Sequence, residues 1–309
     1  MKHSILITAL LLIVFLLAQA NGLFVLDYYI NIKESAAQGK TVVHEEAYEQ
    51  SNITAPYVEN ESSSYIYIIF ALLFGTGLVL LLIKYKQRKL WKVWFLLSVI
   101  VALIISLNTW MFRYFSGLTA PLVLYGITVG ISCILAYFKV FRHSIIIHNV
   151  TEIFIYGGLA ALLVPILNIL SMTIVLLIVA VYDMYAVWKS KHMVAMAQFQ
   201  TKEKVFAGVC IPYKAVSSVP AEKPAKMLKT EKQTVSTAIL GGGDIAFPLL
   251  FAGVVMKATG TYLPAILIVG TTTLALAFLF YIAQKGKFYP AIPFVATGCF
   301  IGYGLGLLL

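Results

Sequence analysis

Residues 168–188 have the sequence NILSMTIVLLIVAVYDMYAVW, an apolar run that contains one carboxylate, Asp183. A helix of about 20 apolar residues spans the hydrocarbon core of a bilayer. Because backbone amides in lipid must be paired within their own segment, such runs predict helices. The predicted spans cover residues of about 4 to 26, 65 to 83, 93 to 112, 120 to 138, 145 to 164, 168 to 188, 236 to 256, 261 to 282 and 289 to 309. The predicted fold class is therefore an all-α polytopic membrane protein with nine transmembrane helices.

Composition indicates the same class. The 309 residues are 61% hydrophobic and 12% charged, and the mean hydropathy is +0.90. Soluble domains carry about 25% charged residues, so a water-soluble globule is excluded. The cysteines, Cys133, Cys210 and Cys299, are odd in number and scattered, which indicates neither a disulfide framework nor a metal site. No cofactor and no metal are predicted.

The positions of Lys and Arg predict orientation, because these residues are enriched in cytoplasmic connections. With a cytoplasmic N-terminus, 19 of the 23 Lys and Arg residues lie in inner segments, and the others are Lys33, Lys40, Arg113 and Lys257. The chain is predicted to be a multi-pass protein of the plasma membrane with its C-terminus outside. The net charge of +10 is interpreted as a topology signal facing anionic membrane lipid, so no nucleic-acid partner is expected.

The spans divide the chain into three regions. Residues 1–188 form an N-terminal six-span bundle, residues 189–235 a cytoplasmic loop, and residues 236–309 a C-terminal three-span part. The loop is rich in lysine and contains prolines, so most of it is predicted to be a mobile linker. Its apolar stretch from Val205 to Tyr213 is too short to span, and it either lies on the membrane face or docks into the bundle.

The first span has two interpretations. Lys2, the apolar stretch to Leu17 and Ala18-Gln19-Ala20 have the layout of a cleavable signal peptide, but the apolar run continues to Leu26, as in an uncleaved span. In either case residues 27–64 lie outside, and their acidic side chains indicate an exposed polar loop.

Three carboxylates lie within predicted spans: Glu152, Asp183 and Asp244. A carboxylate at the centre of a membrane helix costs about 2.5 to 3.5 kcal/mol, so each indicates a function. Asp183 precedes the inner end of its span by six residues, and Asp244 follows the start of its span by eight. These spacings correspond to depths of about 9 Å and about 12 Å from the inner surface. Two carboxylates at similar depth on sequential spans can face each other.

Two facing carboxylates in a low dielectric share about one proton near neutral pH. Such a pair can activate a water molecule with one carboxylate and protonate the leaving amine with the other, which suits hydrolysis of a peptide bond. Two alternatives remain at this point. The aspartates are either buried polar groups bound to hydroxyls or waters, or proton relays in a transporter.

Glu152 has a nearby partner in sequence. His148 precedes it by one helical turn, and residues at this spacing can neutralise each other. A structural ion pair or hydrogen bond is predicted, and a part in tuning the aspartate pair is the alternative. A metal site is not expected, because no third ligand is evident.

Three motifs surround the aspartates and the last span: Tyr182-Asp183, Gly241-Gly242-Gly243-Asp244 and Pro290-Ala291-Ile292-Pro293. In this order, on spans six, seven and nine, they resemble the presenilin and signal-peptide-peptidase family of intramembrane aspartyl proteases. The nine spans and the long connection between spans six and seven are similar too. The motifs of zinc and serine proteases, His-Glu-x-x-His and Gly-x-Ser-x-Gly, do not occur in the sequence.

The resemblance implies that Asp183 and Asp244 are the catalytic pair. Gly241 and Gly243 then belong to the substrate-binding part and allow close approach beside Asp244, because glycine has no side chain and tolerates unusual dihedrals. The alternative is that these glycines only loosen or pack a helix. Tyr182 either hydrogen-bonds near the pair or packs at the inner interface.

The segment Pro290, Ala291, Ile292 and Pro293 departs from the family pattern at one position, since isoleucine stands where the family has leucine. Its implied role is to shape the site and hold an unwound substrate, because prolines break the helix and leave backbone groups unpaired. A simple kink at the entry to the last span is the alternative.

The implied function is that of an intramembrane aspartyl endopeptidase of the Gly-x-Gly-Asp type, which cleaves single-span membrane proteins in or near their transmembrane helices. The predicted orientation is that of presenilin, whereas signal peptide peptidase is inverted, so substrates with an outside N-terminus are expected. Obligatory partner subunits are not expected. The alternative is a proton-coupled transporter or a cation leak channel, although the sequence shows no internal repeat.

Overall fold

The structure of the protein is a computed structural model that describes residues 4–85, 87–142, 144–190, 206–214, 235–284 and 289–309. Its helices are α1 (Ile5–Tyr29), α2 (Ile32–Gln38), α3 (Glu45–Gln50), α4 (Ser64–Lys84), α5 (Arg88–Phe115), α6 (Pro121–Tyr137), α7 (Ile145–Leu163), α8 (Ile169–Tyr185), α9 (Gly242–Thr259), α10 (Leu263–Ile282) and α11 (Ile292–Leu307). The strands are β1 (Gly208–Lys214) and β2 (Val235–Gly241).

Within these ranges, eight helical segments are long and apolar enough to cross a membrane, and α11 is a shorter apolar helix at the ninth predicted position. The prediction of an all-α polytopic membrane fold is therefore confirmed. Turns of π-helix extend α6 over Phe138–Arg142 and α8 over Ala186–Ser190. Most of the predicted mobile linker, residues 191–205 and 215–234, lies outside the described residues.

Strands β1 and β2 form an antiparallel pair that the apolar pattern did not predict, with Gly208 opposite Gly241. The predicted start of span seven at residue 236 is therefore wrong, because the chain is extended up to Gly241 and α9 begins at Gly242. The segment Val235–Gly241 is apolar and rich in β-branched residues, which favour strands, and periodicity alone cannot separate a short buried strand from a helix. The described part of the loop's apolar stretch docks into the protein through this pairing.

Helix α9 lies in the middle of the bundle and packs on α1, α7, α8, α10 and α11. Two glycines permit its close approach to α1. A Cβ atom on Gly22 would lie 2.3 Å from Leu249 Cδ2, and one on Gly253 would lie 2.4 Å from Leu26 Cδ1. Small residues at such positions are the usual means by which membrane helices pack tightly. The helix that begins next to Asp244 is therefore held along its length.

The outer loop is more ordered than an exposed polar segment, so that prediction is wrong in part. Helices α2 and α3 fold there, and Ile30 pairs with Val43 in a single β-bridge. Tyr48 is 2% exposed, and its hydroxyl donates to the Ala161 carbonyl of α7 over 2.7 Å. The apolar face of α3, hidden among acidic residues in the sequence, explains why this loop packs on the bundle.

Lys257, in the last turn of α9, is buried although it was assigned to an outer connection. Its ammonium group donates to Glu61 Oε2 over 2.9 Å and to the Leu167 carbonyl over 2.6 Å, and it also contacts Thr41. A cation near a helix C-terminus interacts favourably with the helix dipole. Lys257 thus ties the outer loop to the end of α9 that lies opposite Asp244.

Candidate active site

Asp183 lies near the C-terminal end of α8 and is 3% exposed. Its Oδ2 atom accepts a hydrogen bond of 3.2 Å from the backbone N–H of Ile292, the first residue of α11. The first amides of a helix have no partner within the helix, and the helix dipole favours negative charge there. The start of α11 is therefore a suitable binding place for this carboxylate.

The prolines around Ile292 restrict which amides can bind Asp183. Pro290 and Pro293 have no N–H, so Ala291 and Ile292 are the donors available in this segment. Both amides interact with the Asp183 carboxylate. The isoleucine that departs from the family pattern thus contributes through its main chain, which a leucine would supply equally.

Asp244 lies in the first turn of α9, two residues after its first residue, Gly242. Its carboxylate lies beside the N-cap residue, Gly241, whose backbone amide interacts with it. A side chain that reaches back from the third position to the N-cap amide is half of a capping box and satisfies an otherwise unpaired donor. Each aspartate therefore lies beside main-chain amides at the start of a helix.

The depth predicted for Asp244 is corrected by the strand that precedes it. Asp244 is at the beginning of a helix, not eight residues inside one. The two aspartates nevertheless lie at the same end of the bundle, because α8 runs towards that end and α9 starts from it. They are close enough for their charges to interact. The Asp183 Oδ1 atom is buried and has no hydrogen-bond partner among the described residues.

Gly241 and Gly243 have different surroundings. Gly241 has φ −64° and ψ 146°, which any residue adopts, so its dihedrals do not require glycine. The space around Gly241 favours glycine instead, because a Cβ atom there would lie 3.1 Å from Asp244 Oδ2. Gly243 is exposed, and a Cβ atom on it would lie 3.8 Å from Ile292 Cδ1. Gly243 therefore brings the second motif next to the third.

Tyr182 lies between α8 and α4. Its hydroxyl interacts with the Thr76 side chain on α4. Helix α4 is otherwise exposed over most of its length and contacts mainly α5 and α8. Tyr182 thus links α8 to the least enclosed helix of the bundle.

Two residues that adjoin the site, Gln19 and Tyr156, were not indicated by the motifs. Gln19 of α1 is fully buried and donates to the Ile245 carbonyl over 2.8 Å, directly after Asp244. A Cβ atom on Gly242 would lie 2.9 Å from the hydroxyl oxygen of Tyr156. Gln19 was visible in the sequence as a polar residue in an apolar span, but its Ala-x-Ala context resembled a cleavage site.

The predicted partner of Glu152 is only part of its environment. His148 Nε2 lies 3.9 Å from Glu152 Oε1, whereas the Lys139 ammonium donates to the same oxygen over 2.5 Å. Burial raises the pKa of the neighbouring Cys210 thiol on β1 to about 11, and the charge of Glu152 adds to that shift. In the part of the chain that the structure describes, no group of three His, Cys, Asp or Glu side chains could hold a metal ion.

Comparison with known proteins agrees with the motifs. The sequence profile of the family described as "Signal-peptide peptidase, presenilin aspartyl protease" matches residues 38–309. The chain belongs to this family. Family membership confirms the resemblance stated from the three motifs.

The fold of this presenilin-family chain also matches solved structures. One is described as the structure of "a presenilin family intramembrane aspartate protease" in space group C222, with a TM-score of 0.60, 14% identity, and coverage of 97% of this chain and 98% of that one. A P2 structure with the same description has a TM-score of 0.60, 15% identity and 96% coverage of both chains. No curated protein matches the chain significantly.

Family and fold together indicate an intramembrane aspartyl protease, an integral membrane protein that acts on membrane-embedded substrates. Neither comparison supports a transporter or a channel.

Proposed function

We propose that this protein hydrolyses peptide bonds in or near the transmembrane helices of other membrane proteins, with Asp183 and Asp244 as an acid–base pair and water as the nucleophile. The observation that supports this proposal is the way the two carboxylates are placed. Asp183 accepts the Ile292 amide at the start of α11, and Asp244 lies beside the Gly241 amide at the start of α9, near enough to Asp183 for its charge to be felt. This leaves carboxylate oxygens available for a water molecule, as the unpaired Oδ1 of Asp183 illustrates.

The chemistry assigned to the pair is proton transfer. One carboxylate accepts a proton as the water oxygen forms a bond to the peptide carbonyl carbon, and the other donates a proton to the leaving amine as the C–N bond breaks. Because two interacting carboxyl groups titrate as a unit, the roles belong to the pair and not to one residue.

The substrate must be extended at the cleavage point, because a peptide bond inside a helix is shielded and its N–H is already paired. The exposed Gly243 offers a surface without a side chain beside Asp244. His148 and Asn149 of α7 bind the outer edge of β1. Strand β2 has no second neighbouring strand among the described residues, and extended peptides bind to such edges through main-chain hydrogen bonds. We assign substrate binding to Gly241, Gly243 and the Pro290–Pro293 segment, with Tyr182 at the side that faces α4.

The orientation inferred from Lys and Arg defines the substrate further. With a cytoplasmic N-terminus and an outside C-terminus, the aspartates lie towards the cytoplasm, and substrates are single-span proteins with an outside N-terminus. We propose that a single chain, made up of the regions 1–188, 189–235 and 236–309, cleaves such substrates in the plasma membrane without a partner subunit. The reason is that this one chain carries both aspartates and the third motif.

The test is cleavage of a single-span model substrate by the purified full chain in lipid vesicles. Asp183→Asn and Asp244→Asn are each expected to lower the rate by about 100-fold or more, the usual contribution of acid–base catalysis. Asp27→Asn is the matched control, because Asp27 lies away from the site and forms an ion pair of 3.0 Å with Arg113. Undiminished cleavage by either site variant would reject the pair, and pH-dependent ion flux without cleavage would favour transport.

A further inference from the structure

A buried polar cluster lies beside the strand pair, outside the three motifs. It consists of Lys139, His148, Glu152 and Tyr156, and we call it the α7 cluster. The side chains of Lys139 and Glu152 are each 1% exposed, and they form an ion pair of 2.5 Å. Removing two charges from water costs several kcal/mol per ion before their attraction offsets it, so a buried pair contributes little to stability by itself. Stability alone therefore does not explain the ion pair, and its contacts with the rest of the molecule indicate another role.

The hydrogen bonds of the α7 cluster have a consistent direction. Lys139 Nζ lies 3.2 Å from His148 Nδ1, and His148 Nε2 lies 2.7 Å from the Gly208 carbonyl oxygen. A carbonyl only accepts, so Nε2 carries the hydrogen and Nδ1 accepts from the ammonium group. The Tyr156 hydroxyl donates to the second oxygen of Glu152. Both oxygens of the buried carboxylate are thus occupied.

Two members of the cluster contact the chain immediately before Asp244. His148 binds Gly208 at the start of β1, and the Tyr156 hydroxyl lies against Gly242. The Gly242 amide in turn donates to the Ala207 carbonyl over 3.1 Å. Gly208 has a φ of +136°, which favours glycine, and a Cβ atom there would lie 2.3 Å from the Leu240 carbonyl. The paired strands therefore leave no room for a side chain at Gly208.

Asn149 fixes the same strand to α7. Its side-chain amide donates to the Cys210 carbonyl over 2.8 Å and its side-chain oxygen accepts the Cys210 N–H over 3.0 Å. Helix α7 therefore holds β1 at two successive places, through His148 and Asn149. Since β1 carries β2, and β2 leads directly into α9, the position of α7 determines where the first turn of α9 lies.

We propose that the α7 cluster is a positioning device, in which Tyr156 and the buried Lys139–Glu152 pair set the first turn of α9 and so hold Asp244 opposite Asp183. The proposal rests on the proposed function, because it concerns the geometry of the same aspartate pair. Tyr156 acts through Gly242 and the turn that follows, not on the substrate. Its removal therefore affects the chemical step more than substrate binding.

The first test compares two tyrosines whose hydroxyl groups make hydrogen bonds to α7 residues. Tyr156→Phe removes the hydroxyl that binds Glu152, and Tyr48→Phe removes an equally buried hydroxyl that binds the Ala161 carbonyl at the other end of α7. Tyr156→Phe is expected to lower kcat about tenfold with KM unchanged, the size of a lost hydrogen bond to a charged group. Tyr48→Phe is expected to change Tm by a similar amount and leave kcat unchanged.

The second test uses the close contact at Gly242. Gly242→Ala places a methyl group 2.9 Å from the Tyr156 hydroxyl, and Tyr156→Phe removes that oxygen. The rate loss caused by Gly242→Ala is therefore expected to be severalfold smaller in the Tyr156→Phe background than in the wild type. Equal losses in the two backgrounds would overturn the proposed contact. Glu152→Gln, which keeps the size of the side chain, is expected to lower kcat as Tyr156→Phe does.

Failure of the positioning role is distinguishable from failure of the proposed function. If the wild-type protein cleaves, Asp244→Asn does not, and Tyr156→Phe matches Tyr48→Phe in kcat and KM, the positioning role is wrong and the aspartate pair stands. If the wild-type protein does not cleave, or Asp244→Asn cleaves as well as the wild type, both proposals are overturned.

Discussion

Among the described residues, main-chain amides adjoin both aspartates of the site. Asp183 is bound at the start of α11, and Asp244 lies beside the N-cap amide of α9. Amides of this kind are fixed by the fold, so they orient a carboxylate without themselves gaining or losing a proton. The identity of a neighbouring side chain then matters mainly when that side chain takes up space beside the carboxylate.

Gly241→Ala tests the need for that space. Alanine is compatible with the φ of −64°, but its Cβ would lie 3.1 Å from Asp244 Oδ2 and push the carboxylate away. The variant is expected to keep its Tm and lose about 10- to 100-fold in kcat, because small displacements of a catalytic group are costly. The control is Gly270→Ala on α10, where nothing lies within 4 Å of the added methyl group. A Gly241→Ala enzyme with the wild-type rate would contradict this role.

The residue-level features of the site were predictable only in part. Asp183 and Asp244 stood out because carboxylates are costly inside apolar runs, and their motifs indicated the family. The binding of Asp183 by the amides of Ala291 and Ile292 could not be predicted, because it joins residues more than 100 positions apart. Only the packing of α11 against α8 brings them together.

At the level of elements, the apolar pattern identified the spans but not the strand pair. The segment Val235–Gly241 is as apolar as the helix that follows it. For a segment of this length, average hydropathy does not distinguish a buried strand from part of a helix. The partner strand Gly208–Lys214 decides between them, and that pairing is a long-range contact. Asp244 consequently lies at the start of a helix, where its carboxylate can cap the first turn.

Helix α1 is expected to be indispensable, although residues 1–20 of the chain have the layout of a signal peptide. Leu11, Phe15 and Gln19 are fully buried, and Gln19 contacts α9 next to Asp244. Phe15→Ala is expected to lower the free energy of unfolding by about 3 kcal/mol, because it leaves a cavity in the core. Ile13→Ala is the control, since Ile13 is 51% exposed on the same helix.

The measurement for α1 is the Tm of the purified variants in the same detergent. A large fall for Phe15→Ala with little change for Ile13→Ala is expected. Equal Tm values for Phe15→Ala and the wild type would show that α1 is not part of the folded core.

At the scale of the whole molecule, two buried lysines form ion pairs in different parts of the bundle. Lys139 belongs to the α7 cluster, and Lys257, in the last turn of α9, binds Glu61 and two carbonyls. Counting charges assigned both lysines to membrane surfaces, because sequence position alone does not reveal burial. The orientation predicted from the remaining cations does not depend on these two residues.

Lys257→Met is expected to destabilise the fold and leave the chemistry intact. The substitution leaves Glu61 without its cation. Breaking a buried ion pair costs about 3 kcal/mol at the lower end of the usual range. We expect a loss of this size because the Glu61 side chain is 19% exposed and not fully buried. Lys40→Met removes an exposed lysine of the same outer loop and is the control. The Tm and the cleavage rate well below the Tm are measured together. A stable Lys257→Met protein would contradict the assigned role of this lysine.

Cleavage in water enriched in ¹⁸O, followed by mass spectrometry of the fragments, examines the proposed reaction itself. A single-span substrate in vesicles is predicted to give two fragments, and the new carboxyl terminus, within or near the apolar segment, carries one ¹⁸O atom from the attacking water. Asp244→Asn and Asp183→Asn are predicted to give no labelled fragment, while Asp27→Asn gives as much as the wild type. Labelled fragments in equal yield from Asp244→Asn, or none from the wild-type protein, would contradict hydrolysis by this aspartate pair.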